Sequence, residues 1–159
     1  MIIVWLLVLL IFANGSPVVA ARLFRSRFST PVDFGYRWRD GRPLFGASKT
    51  WRGLVAGFLA CTFCAPLLGL DLTFGAIFAI LALGGDLLSS FIKRRIGLEA
   101  SARASGLDQL PESMIPVAYA WAVLAIPAWQ ATGVVLLFIA GNMLFSPLLY
   151  RLGIRKRPH

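Results

Sequence analysis

Residues 73–92 read TFGAIFAILALGGDLLSSFI, a stretch of twenty in which Asp86 is the only charged residue. At 1.5 Å per residue such a helix is about 30 Å long, which matches the hydrocarbon thickness of a bilayer. The stretch lies between Asp71 and the basic run Lys93-Arg94-Arg95. It therefore predicts a membrane-spanning helix with one acid in its interior.

The whole chain has the composition of a membrane protein. Of its 159 residues, 58% are hydrophobic and 14% are charged, and the mean hydropathy is +0.74. This composition excludes a disordered chain, and two cysteines exclude a disulfide scaffold. We expect an all-α integral membrane protein with one transmembrane domain over residues 1–159. Five spans are expected at residues 2–21, 54–70, 73–92, 111–129 and 131–150, with short turns near Asp71 and Gln130.

The basic residues predict the orientation of those spans. All 16 Lys and Arg, in a chain of net charge +9, lie in residues 22–53, 93–110 and 151–159. Five spans place these segments on one side of the membrane. By the positive-inside rule, the two long loops and the C-terminus are cytoplasmic and the N-terminus is outside. The first span is expected to remain as an anchor, because a signal peptide has its basic residues before the apolar run.

Asp86 lies seven residues before Lys93, roughly 10 Å below the end of the third span. Ser90 and Lys93 share its helical face, so a carboxylate, a hydroxyl and an ammonium form a polar stripe towards the cytoplasm. The acid is either a structural partner of Lys93 or of an arginine on another helix, or it marks a functional site. The second interpretation is the usual one for an ionisable group at this depth.

Asp108 and Glu112 flank Pro111 at the start of the fourth span. Proline and acids are favoured at a helix N-terminus, so a role in starting the helix explains them. Carboxylates beneath a basic loop also suit Mg²⁺, which binds few protein carboxylates together with phosphates. On these residues alone, both interpretations stay open.

The first loop interleaves aromatic residues with arginine and ends in Gly46-Ala47-Ser48-Lys49-Thr50. Such a loop is typical of a segment lying on anionic lipid. The turn lacks Walker spacing, but its backbone N–H groups, with Lys49 and Arg52, are suited to binding phosphate. Nucleic acid is not expected as a partner, because membrane topology already accounts for the charge.

Other polar or reactive residues indicate no separate chemistry. Cys61 and Cys64 lie in the second span and are expected to pack as small apolar side chains. His159, the only histidine, is the last residue, which excludes a histidine-based triad. Residues 14–17, Asn-Gly-Ser-Pro, interrupt the first span either as a proline kink or as a polar notch lining a cavity.

Three groups of motifs follow one another along the chain. The first loop holds PVDFG at 31–35, DGR at 40–42 and GASKTWRG at 46–53; GDLLSSFIKRRIG follows at 85–97 and DQL at 108–110. In order, spacing and cytoplasmic placement, this combination resembles the archaeal-type CDP-archaeol synthases, a branch of the phosphatidate cytidylyltransferase superfamily. The resemblance covers nearly the whole chain.

The resemblance implies a membrane enzyme that transfers CMP from CTP to a lipid phosphate, giving a CDP-lipid and pyrophosphate. It implies Mg²⁺ as cofactor, membrane lipids as partners, and an active site on the cytoplasmic face of the cell membrane. Asp86 and Asp108 correspond to metal-binding carboxylates, and Lys93 to a further catalytic residue. Nucleotide- and phosphate-binding positions are implied at Asp40, Arg42, Lys49, Thr50, Arg52 and Arg94.

The chain departs from the family pattern at two points. Where the wider pattern has an acid three residues after Asp108, this chain has Pro111. Glu112 is the candidate substitute metal ligand, although one residue turns a side chain by about 100° around the helix. Ala47-Ser48 also stands where the family often has Asp-Gly. The alternatives are therefore a catalytically silent protein of this fold, or a different headgroup transferase.

A small transporter is disfavoured, because the chain has no internal repeat. The sequence does not distinguish a diacyl from an ether-linked isoprenoid lipid phosphate, since apolar spans accommodate both. Whether the protein forms a homo-oligomer is also left open.

Overall fold

The computed structural model describes residues 1–98 and 108–151, with side chains up to residue 144. Its five helices are α1 (Ile2–Phe24), α2 (Trp51–Leu67), α3 (Leu72–Arg95), α4 (Gln109–Leu124) and α5 (Ala128–Arg151). In the described part of the chain, β pairing is limited to two isolated bridges in the loop between α1 and α2. Residues 99–107 of the second long loop, and the tail with His159, lie outside the described residues.

The expected all-α architecture with five helices is confirmed. By length and apolar composition, α1 and α3 are long enough to cross a membrane, whereas α2 and residues Ala128–Leu144 of α5 are shorter apolar helices. The turn expected near Gln130 is wrong, because Gln130 lies inside α5. The break falls at Ala125, which ends α4 in the left-handed conformation (φ 49°, ψ 37°). Pro127 follows, directly before the first residue of α5. Because proline is favoured at helix starts, Pro127 was the residue in the sequence that indicated where α5 begins.

Helix α1 continues without a break through its Asn-Gly-Ser-Pro stretch. The Asn14 amide donates to the carbonyl four residues earlier at 3.1 Å. The Pro17 side chain packs against Gly53 and Gly57 of α2, where a Cβ on Gly57 would lie 2.5 Å from the Ala13 carbonyl oxygen. Gly57 therefore permits a close approach of α1 and α2, and Pro17 takes part in this packing.

Each helix packs against the next in the chain, and α1 also contacts α3 and α5. Apolar side chains form the common core, among them Leu9, Phe78, Val117 and Val134. Cys61 and Cys64 are unbridged and buried in this core, as expected for small apolar side chains. Large apolar side chains such as Val55, Phe63 and Ile80 are exposed on the outer faces of α2 and α3. Such an exterior suits lipid as the surrounding solvent.

The contact between α3 and α4 depends on Gly85. A Cβ at this position would lie 2.3 Å from the Pro111 carbonyl oxygen and 2.8 Å from the Glu112 Cα. Both are backbone atoms of α4, which cannot rotate away as a side chain can. Gly85 thus lets α4 approach α3 directly beside Asp86.

We expect Gly85→Ala to lower the melting temperature of the detergent-solubilised protein, because overpacking a close contact costs about 1–3 kcal/mol. Gly84→Ala is the matched control, since a Cβ there meets nothing within 4 Å. Alanine is favoured over glycine within a helix by about 1 kcal/mol, so the control should be neutral or stabilised. Thermal unfolding of the two variants provides the measurement. Equal melting temperatures would contradict the close approach of the two helices.

Candidate active site

Lys49 and Asp86 form an ion pair between the first loop and α3. Lys49 Nζ lies 2.6 Å from Oδ1 and 2.5 Å from Oδ2 of Asp86. The two side chains are only 22% and 24% exposed, so solvent screens them less than a surface pair. Asp86 therefore pairs with Lys49 of the first loop, a partner that the residue pattern of α3 alone did not indicate.

A second ion pair joins the end of α3 to the start of α4. Lys93 Nζ lies 2.7 Å from Oδ1 of Asp108, and the Ser89 hydroxyl donates to the same oxygen at 3.1 Å. Ser89 and Lys93 are one helical turn apart and both are buried. Part of the polar face predicted on α3 therefore serves to bind the Asp108 carboxylate.

Glu112 lies within electrostatic range of both ion pairs. Its side chain is buried, and Asp86, Lys49, Asp108 and Lys93 all act on it. The close approach at Gly85 brings the Glu112 backbone beside the residue that precedes Asp86. The loop, α3 and α4 thus gather carboxylates and ammonium groups into one polar cluster at the basic end of α3.

The Asp33 carboxylate organises the loop that carries Lys49. Its Oδ1 accepts the Gly35 N–H at 3.0 Å, and its Oδ2 accepts the N–H groups of Phe45 at 2.9 Å and Gly46 at 3.0 Å. Burial raises the pKa of Asp33, but these backbone donors outweigh it and hold the pKa below its ordinary value. The side chain is therefore a charged centre around which the loop closes.

The same loop is fastened to the C-terminal end of α3 by a reciprocal arginine clamp. The Arg42 guanidinium donates to the Arg95 carbonyl at 2.8 Å and to that of Arg94 at 3.3 Å. Arg95 donates to the Asp40 carboxylate at 2.6 Å and to the Pro43 carbonyl at 2.7 Å. Desolvation raises the pKa of Asp40, but the Arg42 N–H and the Arg95 guanidinium together outweigh it and keep the pKa below the ordinary value. The clamp satisfies helix-end carbonyls that lack partners within the helix.

Comparison with known proteins identifies the family. The model of the CarS-like CDP-archaeol synthases matches residues 1–159. The CDP-archaeol synthase of Pyrococcus furiosus is 38% identical over an alignment of 156 residues, covering 92% of this chain and 85% of the relative. That of Pyrococcus horikoshii is 34% identical over 173 residues, covering 97% of this chain and 94% of the relative. The chain belongs to the CDP-archaeol synthase family.

The fold agrees with this assignment. A solved structure of an intramembrane enzyme for archaeal membrane lipid biosynthesis matches with a TM-score of 0.70 at 34% identity, covering 88% of this chain and 92% of the other. The expected membrane protein and the expected family resemblance are both confirmed. So is the activity at the level of the family, a CTP-dependent cytidylyltransferase that converts a lipid phosphate to a CDP-lipid.

The structure divides the residues that the CDP-archaeol synthase resemblance singled out into two groups. The polar cluster contains Lys49, Asp86, Lys93, Asp108 and Glu112. Arg94 is buried, and the charge of Asp108 acts on it. The others have contacts in the loop: Asp40 and Arg42 form the clamp, Thr50 Oγ1 accepts the Gly53 N–H as the N-cap of α2, and Arg52 donates to the Arg25 and Arg27 carbonyls.

Three residues with clear contacts at the site were absent from the sequence-based set of site residues. Ser89 could have been found from its position one turn before Lys93. Arg95 belongs to the basic run at 93–95, but nothing in that run distinguishes it from its neighbours. Asp33 lies in a quoted motif, yet its link to Phe45 and Gly46 spans a loop whose closure no local pattern predicts.

The donor chemistry of the cluster suits a divalent cation. Asp86 and Asp108 each hold an ammonium group within 2.7 Å, Asp86 that of Lys49 and Asp108 that of Lys93. Among the described residues, no three His, Cys, Asp or Glu side chains are placed to hold a metal by themselves. Mg²⁺ is commonly bound by one or two carboxylates, with waters and substrate phosphates completing its coordination. The residues present therefore fit a magnesium ion shared with a nucleotide.

Proposed function

We propose that this CDP-archaeol synthase family member transfers the cytidylyl group of CTP to a lipid phosphate at the cluster of Asp86, Asp108 and their lysines. The reaction is that of the CDP-archaeol synthase family, to which the chain belongs. The observation that supports this site is the convergence of two carboxylate–lysine pairs, from the loop, α3 and α4, around the buried Glu112. Nucleotidyl transfer needs such a set of charges, because it depends on positioning and charge stabilisation more than on a protein nucleophile.

The chemical step requires no covalent enzyme intermediate. An oxygen of the lipid phosphate attacks the α-phosphorus of CTP, the bond to the bridging oxygen breaks, and pyrophosphate leaves with the electron pair. Lys49 and Lys93 place positive charge where the triphosphate must lie, and Arg94 adds to it. Preorganised cations of this kind stabilise charge that develops on transferring and leaving oxygens.

Asp86 and Asp108 are the residues that would hold Mg²⁺, with Glu112 as a third carboxylate nearby. When bound, the ion would offset charge on the phosphate oxygens. Lys49 and Lys93 balance the two carboxylates in the ligand-free arrangement, which keeps a cluster of partly exposed acids stable. Ser89 orients Asp108 through its hydroxyl.

We further propose that residues 1–159 form one transmembrane domain with five spans, an external N-terminus and a cytoplasmic site. The placement of every Lys and Arg in the two long loops and the tail supports this topology. The polar cluster lies at the same end of α3 as Lys93, Arg94 and Arg95. CTP and a lipid headgroup meet most readily at this membrane surface.

The activity is tested by incubating the purified protein with α-³²P-labelled CTP, Mg²⁺ and a panel of lipid phosphates. The panel contains phosphatidic acid and an unsaturated ether-linked isoprenoid analogue. We expect a labelled, lipid-soluble product that is lost when Mg²⁺ is chelated and restored when it is added back. The preferred lipid identifies the chain chemistry. Folded protein that forms no product from any of the lipids would contradict the proposal.

Glu112→Gln is expected to reduce turnover partially, by about tenfold, because it removes a carboxyl group that lies within electrostatic range of both ion pairs. The side chains have nearly equal volume, so the melting temperature should change little. Steady-state rates at saturating CTP and lipid phosphate provide the measurement. Unchanged rates would mean that Glu112 serves only the packing and dipole of α4.

A further inference from the structure

Asp33 stands outside the charge cluster, but the loop hydrogen bonds connect it to Lys49. The residue is only 7% exposed, and both of its carboxylate oxygens accept hydrogen bonds from backbone N–H groups. One of these groups belongs to Gly46, which begins the turn that leads to Lys49 and has a left-handed backbone (φ 95°). Asp33 thus fixes the start of that turn from across the loop.

The turn itself transmits this constraint to Lys49. The Lys49 N–H donates to the Gly46 carbonyl at 3.1 Å, and the Lys49 carbonyl accepts the Val32 N–H at 2.8 Å. The backbone of Lys49 is therefore held between Gly46, which Asp33 binds, and Val32, which precedes Asp33. The bridge between Pro31 and Thr50 continues this pairing. Lys49 leaves the turn with its Nζ on Asp86.

A lysine side chain has four rotatable bonds and no rigid geometry of its own, so its reach depends on where its backbone is held. The Lys49 ammonium must extend from a loop into a helix face to lie against Asp86. The Asp33 carboxylate is engaged by the backbone on both oxygens, so it is not placed to bind substrate or metal. Its contacts instead fit a residue that acts through another side chain.

We propose that Asp33 is a positioning residue for CTP binding, which sets the Gly46–Lys49 turn and thereby places the Lys49 ammonium in the site. The inference rests on the proposed role of Lys49 in binding the triphosphate. It adds a residue without substrate contact to the binding machinery. It also predicts that Asp33 affects the affinity for CTP only by positioning Lys49.

A double-mutant cycle on CTP affinity tests this directly. Asp33→Asn replaces one acceptor oxygen with an NH₂ group, so some of the N–H groups of Gly35, Phe45 and Gly46 lose their acceptor. We expect it to raise the Kd for CTP, measured in Mg²⁺ by equilibrium binding, by about tenfold. Lys49→Met should raise the Kd by at least as much. In the Lys49→Met background, Asp33→Asn should add no more than about twofold, because the group that it positions is already absent.

Asp71→Asn is the matched control. Asp71 immediately precedes α3, at the other end of the helix from Lys93, and its side chain makes no capping hydrogen bond. It should leave the Kd unchanged. If Asp33→Asn does not fold, as judged by thermal unfolding, Asp33→Ser retains a hydroxyl acceptor and enters the same cycle. An equal loss of affinity in both Lys49 backgrounds would overturn the positioning role while leaving Lys49 as a ligand of CTP. Wild-type affinity in Lys49→Met would instead overturn the assignment of Lys49, and with it this inference.

Discussion

Replacing Asp86 with Asn is expected to reduce turnover by about a hundred- to a thousand-fold, the range seen when a preorganised electrostatic group is removed from an active site. The amide retains the size of the carboxylate but loses its negative charge and half of its acceptor capacity. It cannot bind Mg²⁺ as a carboxylate does, and it leaves Lys49 without its counter-charge. The measurement is the rate of CDP-lipid formation at saturating CTP and lipid phosphate.

Asp71→Asn serves as the control for charge removal, because it changes the same residue type at the far end of the same helix. It should retain the wild-type rate. Both variants should remain folded in detergent, since the Asp86–Lys49 pair is partly exposed and its loss can be compensated by water. A rate for Asp86→Asn within a few-fold of wild type would show that the metal site has been assigned to the wrong residue.

Asp108→Asn is expected to reduce turnover by a similar factor, because Asp108 is the second carboxylate proposed to hold Mg²⁺. It is also expected to lower the stability of the protein. Asp108 is the partner of Lys93, whose side chain is 10% exposed, so the substitution leaves a nearly buried ammonium without its countercharge. Removing one member of a fully buried pair costs about 3–5 kcal/mol. We expect a smaller loss of stability here, because Asp108 itself is 22% exposed. Thermal unfolding and turnover are measured on the same preparation.

Ser89→Ala separates charge from orientation at this carboxylate. It removes the hydroxyl that donates to Asp108 but leaves the ion pair intact. A hydrogen bond contributes about 0.5–1.5 kcal/mol, so the rate should fall by no more than about tenfold. If Ser89→Ala and Asp108→Asn were equally impaired, the charge of Asp108 would not be its decisive property. If neither were impaired, the pair would be structural.

The sequence was informative about the helices, and it predicted Asp86 as a candidate site residue. A single acid within a long apolar run has few explanations, so its position alone indicates a site. The helix break after α4 was harder to predict, because Ala125 resembles any other apolar residue and its left-handed backbone comes from tertiary context. Pro127, two residues later, indicates the break locally, but the continuous hydropathy on either side of it favours a later turn.

Which lysine meets which acid could not be derived from spacing. Lys93 shares a helical face with Asp86 but pairs with Asp108, whereas Lys49 reaches Asp86 from a loop 37 residues away in sequence. Such pairings depend on how α4 docks at Gly85 and on how the first loop closes around Asp33. Both features rest on backbone contacts between distant segments, which a pattern of residue types does not encode.

The loop residues show the same limit. An arginine in a phosphate-binding motif and an arginine that closes a helix end look alike in a sequence. In the structure, Arg42 and Arg95 fasten the loop to α3, while Arg52 holds the carbonyls after α1. The charge pattern thus grouped these cations in the same loop and helix end, but it did not distinguish those that bind backbone carbonyls from those that pair with the carboxylates.

The most direct test of the site is a metal-binding measurement that does not depend on turnover. Mn²⁺ can replace Mg²⁺ at oxygen ligands, and its EPR signal distinguishes free from bound ion. With CTP present, wild type and Asp71→Asn should bind Mn²⁺ alike, whereas Asp86→Asn and Asp108→Asn should each bind it at least about tenfold more weakly. Wild-type Mn²⁺ affinity in both site variants would contradict the assignment of these two carboxylates as the metal-binding centre.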